Sequence, residues 1–185
     1  MELDRFQSFF DCCVGNWSSE RTYHYLTRQY VERSHTHFVI EPVSIDCKAK
    51  VLNDNAYSEV PDDLDRCPGY QLKFDTVSET GERVSQQLNL LFVPKTQDGK
   101  FIDGDYLRDR AYEEDRPIIS KFRFDNDTRE LLMTTNYTRV VSVDSITLVN
   151  PNLRIRKILN YQRSPLGHPL DTVALVGFGV EQKGS

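Results

Sequence analysis

The sequence predicts an all-β fold, an antiparallel up-and-down barrel of about ten strands with an N-terminal helix and one short additional helix. From Tyr70 onward, segments of alternating apolar and polar residues follow one another across short turns. Such a series pairs sequentially and antiparallel. Near the N-terminus, an amphipathic helix stops at Gly15 and runs at once into a strand opened by Trp17. A meander of eight to ten strands removes its exposed edges by closing on itself.

Composition narrows the class. The 185 residues fit one domain, 1–185, long enough for a substantial core. With 28% charged and 38% hydrophobic residues, the chain reads as soluble and globular. Its net charge of -5 argues against a nucleic-acid partner. The opening MELDRFQSFFDCC has no basic region before an apolar run, so it does not read as a secretory signal. No apolar run approaches the roughly 20 residues of a membrane span, so no membrane association is expected. The four cysteines show no C-x-x-C spacing, and reduced thiols are the expectation.

Taken in order, Leu3, Phe6, Phe10 and Cys13 recur at spacings of three and four, one stripe of a helix over 4–14 that Gly15 stops. That stripe needs a barrel mouth or wall to cover. The first strand carries Trp17, Arg21, Tyr23 and Tyr25 on one face. A second strand spans Gln29–Glu41 and is ended by Pro42. Val43, Cys47, Val51 and Leu52 suggest the short extra helix, and 53–68 reads as a loop. Tyr70, Leu72 and Phe74 then alternate, as do Leu88, Leu90 and Phe92 within Val84–Pro94. Lys95–Arg116 is a long polar stretch that interrupts the series. Strands resume at Ile118–Asp125, Glu130–Thr138, Arg139–Val149, Leu153–Tyr161 and Thr172–Gln182.

Three segments carry a family resemblance: Gly15-Asn16-Trp17-Ser18-Ser19-Glu20-Arg21-Thr22, Tyr106-Leu107-Arg108-Asp109-Arg110-Ala111-Tyr112-Glu113, and Asn150-Pro151-Asn152-Leu153-Arg154-Ile155-Arg156. In that order and at those separations the chain resembles the S-type phycobiliprotein lyases, the CpcS/CpeS group with CpeU and CpcV as relatives. The resemblance runs from about residue 6 to 182. It implies a lipocalin-like (calycin) barrel that binds a linear tetrapyrrole and attaches it, through a thioether bond, to a cysteine of a phycobiliprotein α or β subunit. The phycobilin, phycocyanobilin or phycoerythrobilin, would be substrate, with no prosthetic group. The setting it implies is a cyanobacterial cytoplasm or the plastid stroma of a red alga or cryptophyte. A homodimer or a related lyase subunit remains open. Asp144 stands where the family usually has Glu, and Thr147-Leu148 where aromatics usually follow. The tract Asp103–Asp115 is unusually acidic. These departures leave the bilin and the acceptor subunit open.

The residues aligned with bilin-contacting positions are Arg21, Asp144, Arg154, Arg156 and Glu181. Two propionates call for cations, and arginine meets a carboxylate with paired bonds that lysine cannot reproduce. Arg154 and Arg156 share a face with Ile158, opposite Leu153, Ile155 and Leu159. Periodicity alone would turn the apolar face inward, since buried arginine is rare unless paired. The resemblance turns the arginines inward instead, with the Phe6/Phe10 stripe as cover for the apolar face. One of the two arginines is alternatively a structural partner stacked on Trp17.

Asp144 lies among Val140, Ile146 and Leu148, as a working buried carboxylate or at a strand bend. Turned inward it would bond pyrrole N–H groups, or act as catalytic proton donor when thiolate adds to ring A. Glu181 is inward by parity, with fraying as the alternative. Tyr23 follows Arg21 inward, to ligand or to core. Arg108 and Tyr112 fall in the long polar stretch, as binding residues or a solvated charge run. His35 and His37 share a strand face without a third ligand nearby, so no metal site is expected. A non-catalytic carrier of a bilin, haem or other apolar ligand would use the same pocket residues.

Overall fold

The computed structural model describes residues 2–109, 116–165 and 168–184. Helix α1 (Glu2–Cys13) leads into strands β1 (Gly15–Tyr25) and β2 (Tyr30–Pro42). Helix α2 (Ile45–Asp54) and a 3-10 turn (Leu64–Arg66) precede β3 (Gly69–Ser78), β4 (Arg83–Gln97) and β5 (Phe101–Arg108). Then come β6 (Ser120–Asp125), β7 (Glu130–Asn136), β8 (Val140–Asn150), β9 (Leu153–Gln162) and β10 (Val173–Lys183). Each strand pairs antiparallel with its sequence neighbours, and β10 returns to β1 with Trp17 opposite Lys183, closing the barrel. The expected architecture is the observed one.

The stretch Lys95–Arg116, expected to interrupt the strands, instead contributes the end of β4 and all of β5. Its acids mislead because they are held on the outer wall. Asp105 is 1% exposed and accepts from Tyr57 Oη at 2.7 Å and from Lys121, with Lys95 also at 2.7 Å. Arg123 clasps Asp103 through Nε at 2.8 Å. Pro94 lacks an N–H for the ladder, and the register shifts there between Pro94 and Thr96. Gly104 also imitates a loop residue. A side chain there would collide with the Val93 carbonyl and the Phe122 ring, so the strand needs glycine at that point.

Helix α2, capped where Ser44 Oγ accepts from the Cys47 N–H, lies on the outer wall of β4 and β5. Val51 and Leu52 pack there with Leu91, Val93 and Leu107 in a second, smaller core. Helix α1 closes one end of the barrel. Phe6 stacks on Phe122 (5.6 Å), Phe9 meets Phe124 (5.1 Å), and Phe10 lies on Tyr70 and Phe92 (5.5 and 4.7 Å). The α1 stripe was also expected to cover the outer apolar face of β9. It does not, because its rings match the aromatic residues inside the barrel end. Phe178 and Val180 on the neighbouring wall accordingly stay exposed, at 48% and 39%.

Candidate functional site

Between the α1 plug and the opposite mouth lies a cavity of about 250 Å3. Its walls alternate by strand parity. Phe38, Tyr70, Leu72, Phe74, Leu90 and Phe92 line it on one side, and charged residues from β1, β8, β9 and β10 line the other. The result is an apolar, largely aromatic wall facing a charged one.

The closed end is built around Trp17. Its Nε1 donates to the Cys13 carbonyl at 2.9 Å, satisfying a final carbonyl of α1, while Lys183 Nζ donates to Cys12 O. Gly15 makes the turn between them with φ +125, where a side chain would strike Lys183. The Arg154 guanidinium lies 4.6 Å from the Trp17 ring and 5.4 Å from Phe38. Glu181 receives both Nε and Nη2 of Arg154 on one oxygen, at 2.9 and 2.6 Å. Arg154 and Glu181 are 4% and 1% exposed. Burial opposes the charge on Glu181, yet Arg154, Arg156 and Arg21 hold its carboxyl below the usual range. Of the two candidates, Arg154 is the arginine stacked on Trp17, and it lines the cavity floor as well.

Higher in the cavity, Arg156 makes a fork-on-fork pair with Asp144 across β8 and β9: Nε donates to Oδ1 at 2.9 Å and Nη2 to Oδ2. This pair is more open, with side chains 26% and 19% exposed. Burial costs Arg156 its charge, but Asp144 more than restores it and keeps the guanidinium firmly protonated. Arg21 Nη2 stands 3.7 Å from Glu181 Oε1, an oxygen with no hydrogen-bond partner among the described residues. Burial and the nearby Arg156 lower the pKa of the Arg21 guanidinium from its ordinary value. Tyr23 lines the same wall.

Both expectations for inward-facing charge on β9 are met, and Arg108 joins the site from β5 rather than from a loop. Its Nη2 donates to Tyr137 Oη at 2.8 Å, and its guanidinium lies 5.8 Å from the Tyr106 ring. Burial pushes the Tyr106 hydroxyl up to about 12, so it is a donor rather than a phenolate. Tyr112 lies outside the described residues. Among the described lining residues, four arginines face two carboxylates, leaving two net positive charges inside a chain of net charge -5.

Sequence reasoning missed Tyr106, Tyr137 and two glycines. Gly177 and Gly179 sit opposite Tyr23 and Arg21 across β1 and β10. A side chain at 177 would meet the Tyr23 ring at 2.8 Å, and one at 179 would press on Arg21 and Ser19. The pattern Gly177-Phe178-Gly179 was the available signal, since glycine at alternate strand positions marks a close approach on one face.

Residues 5–183 match the family of CpeS-like proteins. The chain belongs to that family. It is 57% identical, over 98% of its length and 97% of the relative's, to chromophore lyase CpcS/CpeS 1 of Synechococcus sp. (strain JA-3-3Ab). It is 27% identical to chromophore lyase CpcS/CpeS of Thermosynechococcus vestitus, over 81% of this chain and 80% of the relative. Among solved structures, the S-type phycobiliprotein lyase CPES from Guillardia theta superposes with a TM-score of 0.75, covering 100% of this chain and 98% of that one at 16% identity. That likeness shows the lipocalin-like barrel shared by this family member.

Proposed function

We propose that this CpeS-like protein is a chromophore lyase that holds a linear tetrapyrrole in its barrel and transfers it to a cysteine of a phycobiliprotein subunit. The observation that carries the reading is the cavity's chemistry: a largely aromatic apolar wall opposite a charged one, with two net positive charges among the described lining residues. A bilin has one long conjugated face and two propionates, so shape and charge are both complementary. Relatives named as chromophore lyases, one 57% identical, support the activity.

Arg21, Arg156 and Arg108 are the cations that would receive the propionates, with Tyr23 and Tyr106 beside them. Asp144, already accepting two N–H bonds from Arg156, has the acceptor oxygens that suit the pyrrole N–H groups. Arg154 and Glu181 form the floor against which these groups are positioned. The cavity is smaller than the roughly 300–1,000 Å3 of pockets that engulf a drug-sized ligand. A tetrapyrrole therefore fills it and reaches to the mouth, where a protein thiol can approach.

In the transfer, the acceptor thiol adds across the exocyclic ethylidene double bond of ring A. Sulfur bonds to the ethylidene carbon, the thiol proton ends on a ring carbon, and no oxidant or leaving group is required. Asp144 can take that proton and return it. The rest is orientation, with one face and one side chain of the pigment offered to the nucleophile. The setting is the cytoplasm of a cyanobacterium or a plastid stroma.

The test mixes protein, apo-phycobiliprotein subunit and either phycocyanobilin or phycoerythrobilin. A zinc-fluorescent pigment that stays on the subunit in denaturing gels is the expected result. An unchanged bilin absorption spectrum on adding the protein refutes both lyase and carrier, and binding without covalent transfer leaves only a carrier.

A further inference from the structure

On the outer wall, turned away from the cavity, β1 and β2 bring Glu20, His35 and His37 together. Glu20 lies opposite His35 in the register, and its Oε1 accepts from His35 Nδ1. The two Nε2 atoms of His35 and His37 stand 2.9 Å apart, and the ring centroids are 4.4 Å apart with the planes at 75°. Two imidazoles joined by a straight N–H···N bond of that length would place their centroids about 5.2 Å apart. The observed separation is shorter, so the contact is bent. Two nitrogens each about 2.1 Å from one cation, at roughly a right angle, would stand about 3.0 Å apart with ring centroids about 4.5 Å apart. That is close to the arrangement seen.

We propose that His35 and His37 chelate a late first-row divalent cation, of the copper or nickel type, through their two Nε2 atoms. A right angle between ligands belongs to square-planar and octahedral ions, whereas tetrahedral zinc would separate the nitrogens by about 3.4 Å. Glu20 contributes from behind. By accepting the Nδ1 proton of His35 it fixes the tautomer whose Nε2 carries a lone pair, the outer carboxylate–histidine arrangement of metal sites. Asp75, opposite His37 on β3, adds negative charge beside the pair. Among the described residues no group of three His, Cys, Asp or Glu side chains is placed to hold a metal. Water therefore completes the coordination and the ion exchanges with solvent. Neither histidine lines the bilin cavity, so the site stands independently of the lyase reading.

The experiment titrates untagged protein with Ni2+ alone, following the ring NMR signals of its four histidines and the unfolding temperature. The signals of His35 and His37 should broaden first, and the protein should melt higher as the ion binds the folded chain. His37→Gln should raise the half-saturating Ni2+ concentration by roughly tenfold or more, and Glu20→Gln by about tenfold, each with bilin binding unchanged. Ni2+ held instead at thiols or other histidines, with the His35 and His37 signals unmoved, overturns the proposal. So does a His37→Gln protein that binds Ni2+ as the parent does. The NMR readout uses the parent protein, so a variant that fails to fold does not blunt the test.

Discussion

Arg154 and Arg156 stand two residues apart on one strand, face the same interior, and each grips a carboxylate on a neighbouring strand. Their surroundings separate them. Arg154 is sealed under Trp17 and Phe38 with Glu181, whereas Arg156 and Asp144 keep a quarter and a fifth of their side-chain surface open. A sealed pair must stay together, because removing one partner strands a charge in low dielectric. An accessible pair can be loosened by an incoming carboxylate or N–H group at little cost to the fold. The same chemistry at successive inward positions of one strand thus serves the frame in one case and, on the proposed function, the ligand in the other.

Breaking the sealed pair should have the largest effect. Glu181→Gln leaves Arg154 without its counter-charge and should cost about 3–5 kcal/mol of stability in denaturant unfolding. If Asp144→Asn costs as much, the distinction between the pairs fails. Next in size, Arg156→Ala should weaken bilin binding by about 1.5–3 kcal/mol, the scale of a lost bond to a charged group, while the unfolding midpoint barely moves. An absorption titration beside a thermal melt separates the two effects.

Asp144→Asn should change the affinity less. It should alter the spectrum of the bound pigment and slow transfer to the subunit, read by stopped mixing with apo-protein. A variant with the parent's spectrum and rate removes Asp144 from the chemistry.

Acid offers the finest probe. Folding lowers the Glu181 carboxyl below its ordinary 4.5, so its contribution is present above that pH. The contribution is lost as pH falls through the lower folded value. The stability gap between parent and Glu181→Gln should therefore narrow steadily on acidification below about pH 4.5. A gap that stays constant would mean that Glu181 acts through packing rather than charge.

Much of this was legible in the sequence where alternation was clean. The strands holding Leu88–Phe92 and Leu153–Tyr161, and the inward parity of Arg21 and Glu181, follow from period-two patterning, while the inward turn of Asp144 came from the family resemblance. Strand β5 was not legible. Asp103, Gly104 and Asp105 imitate a loop, and what makes them a strand lies far away, in Tyr57, Lys121, Arg123 and Phe122. Pairing was hidden for the same reason. Nothing local says that Glu181 belongs to Arg154, 27 residues earlier, or that one arginine stacks on an indole near the other end of the chain.

The aromatic plug has a kinetic corollary. With α1 tied down through the indole of Trp17 and its phenylalanines seated on Phe122, Phe124 and Phe92, the described residues close that end of the hollow. On the proposed function, a pigment entering at the opposite rim would share that rim with the acceptor thiol, so loading would come before docking of the recipient.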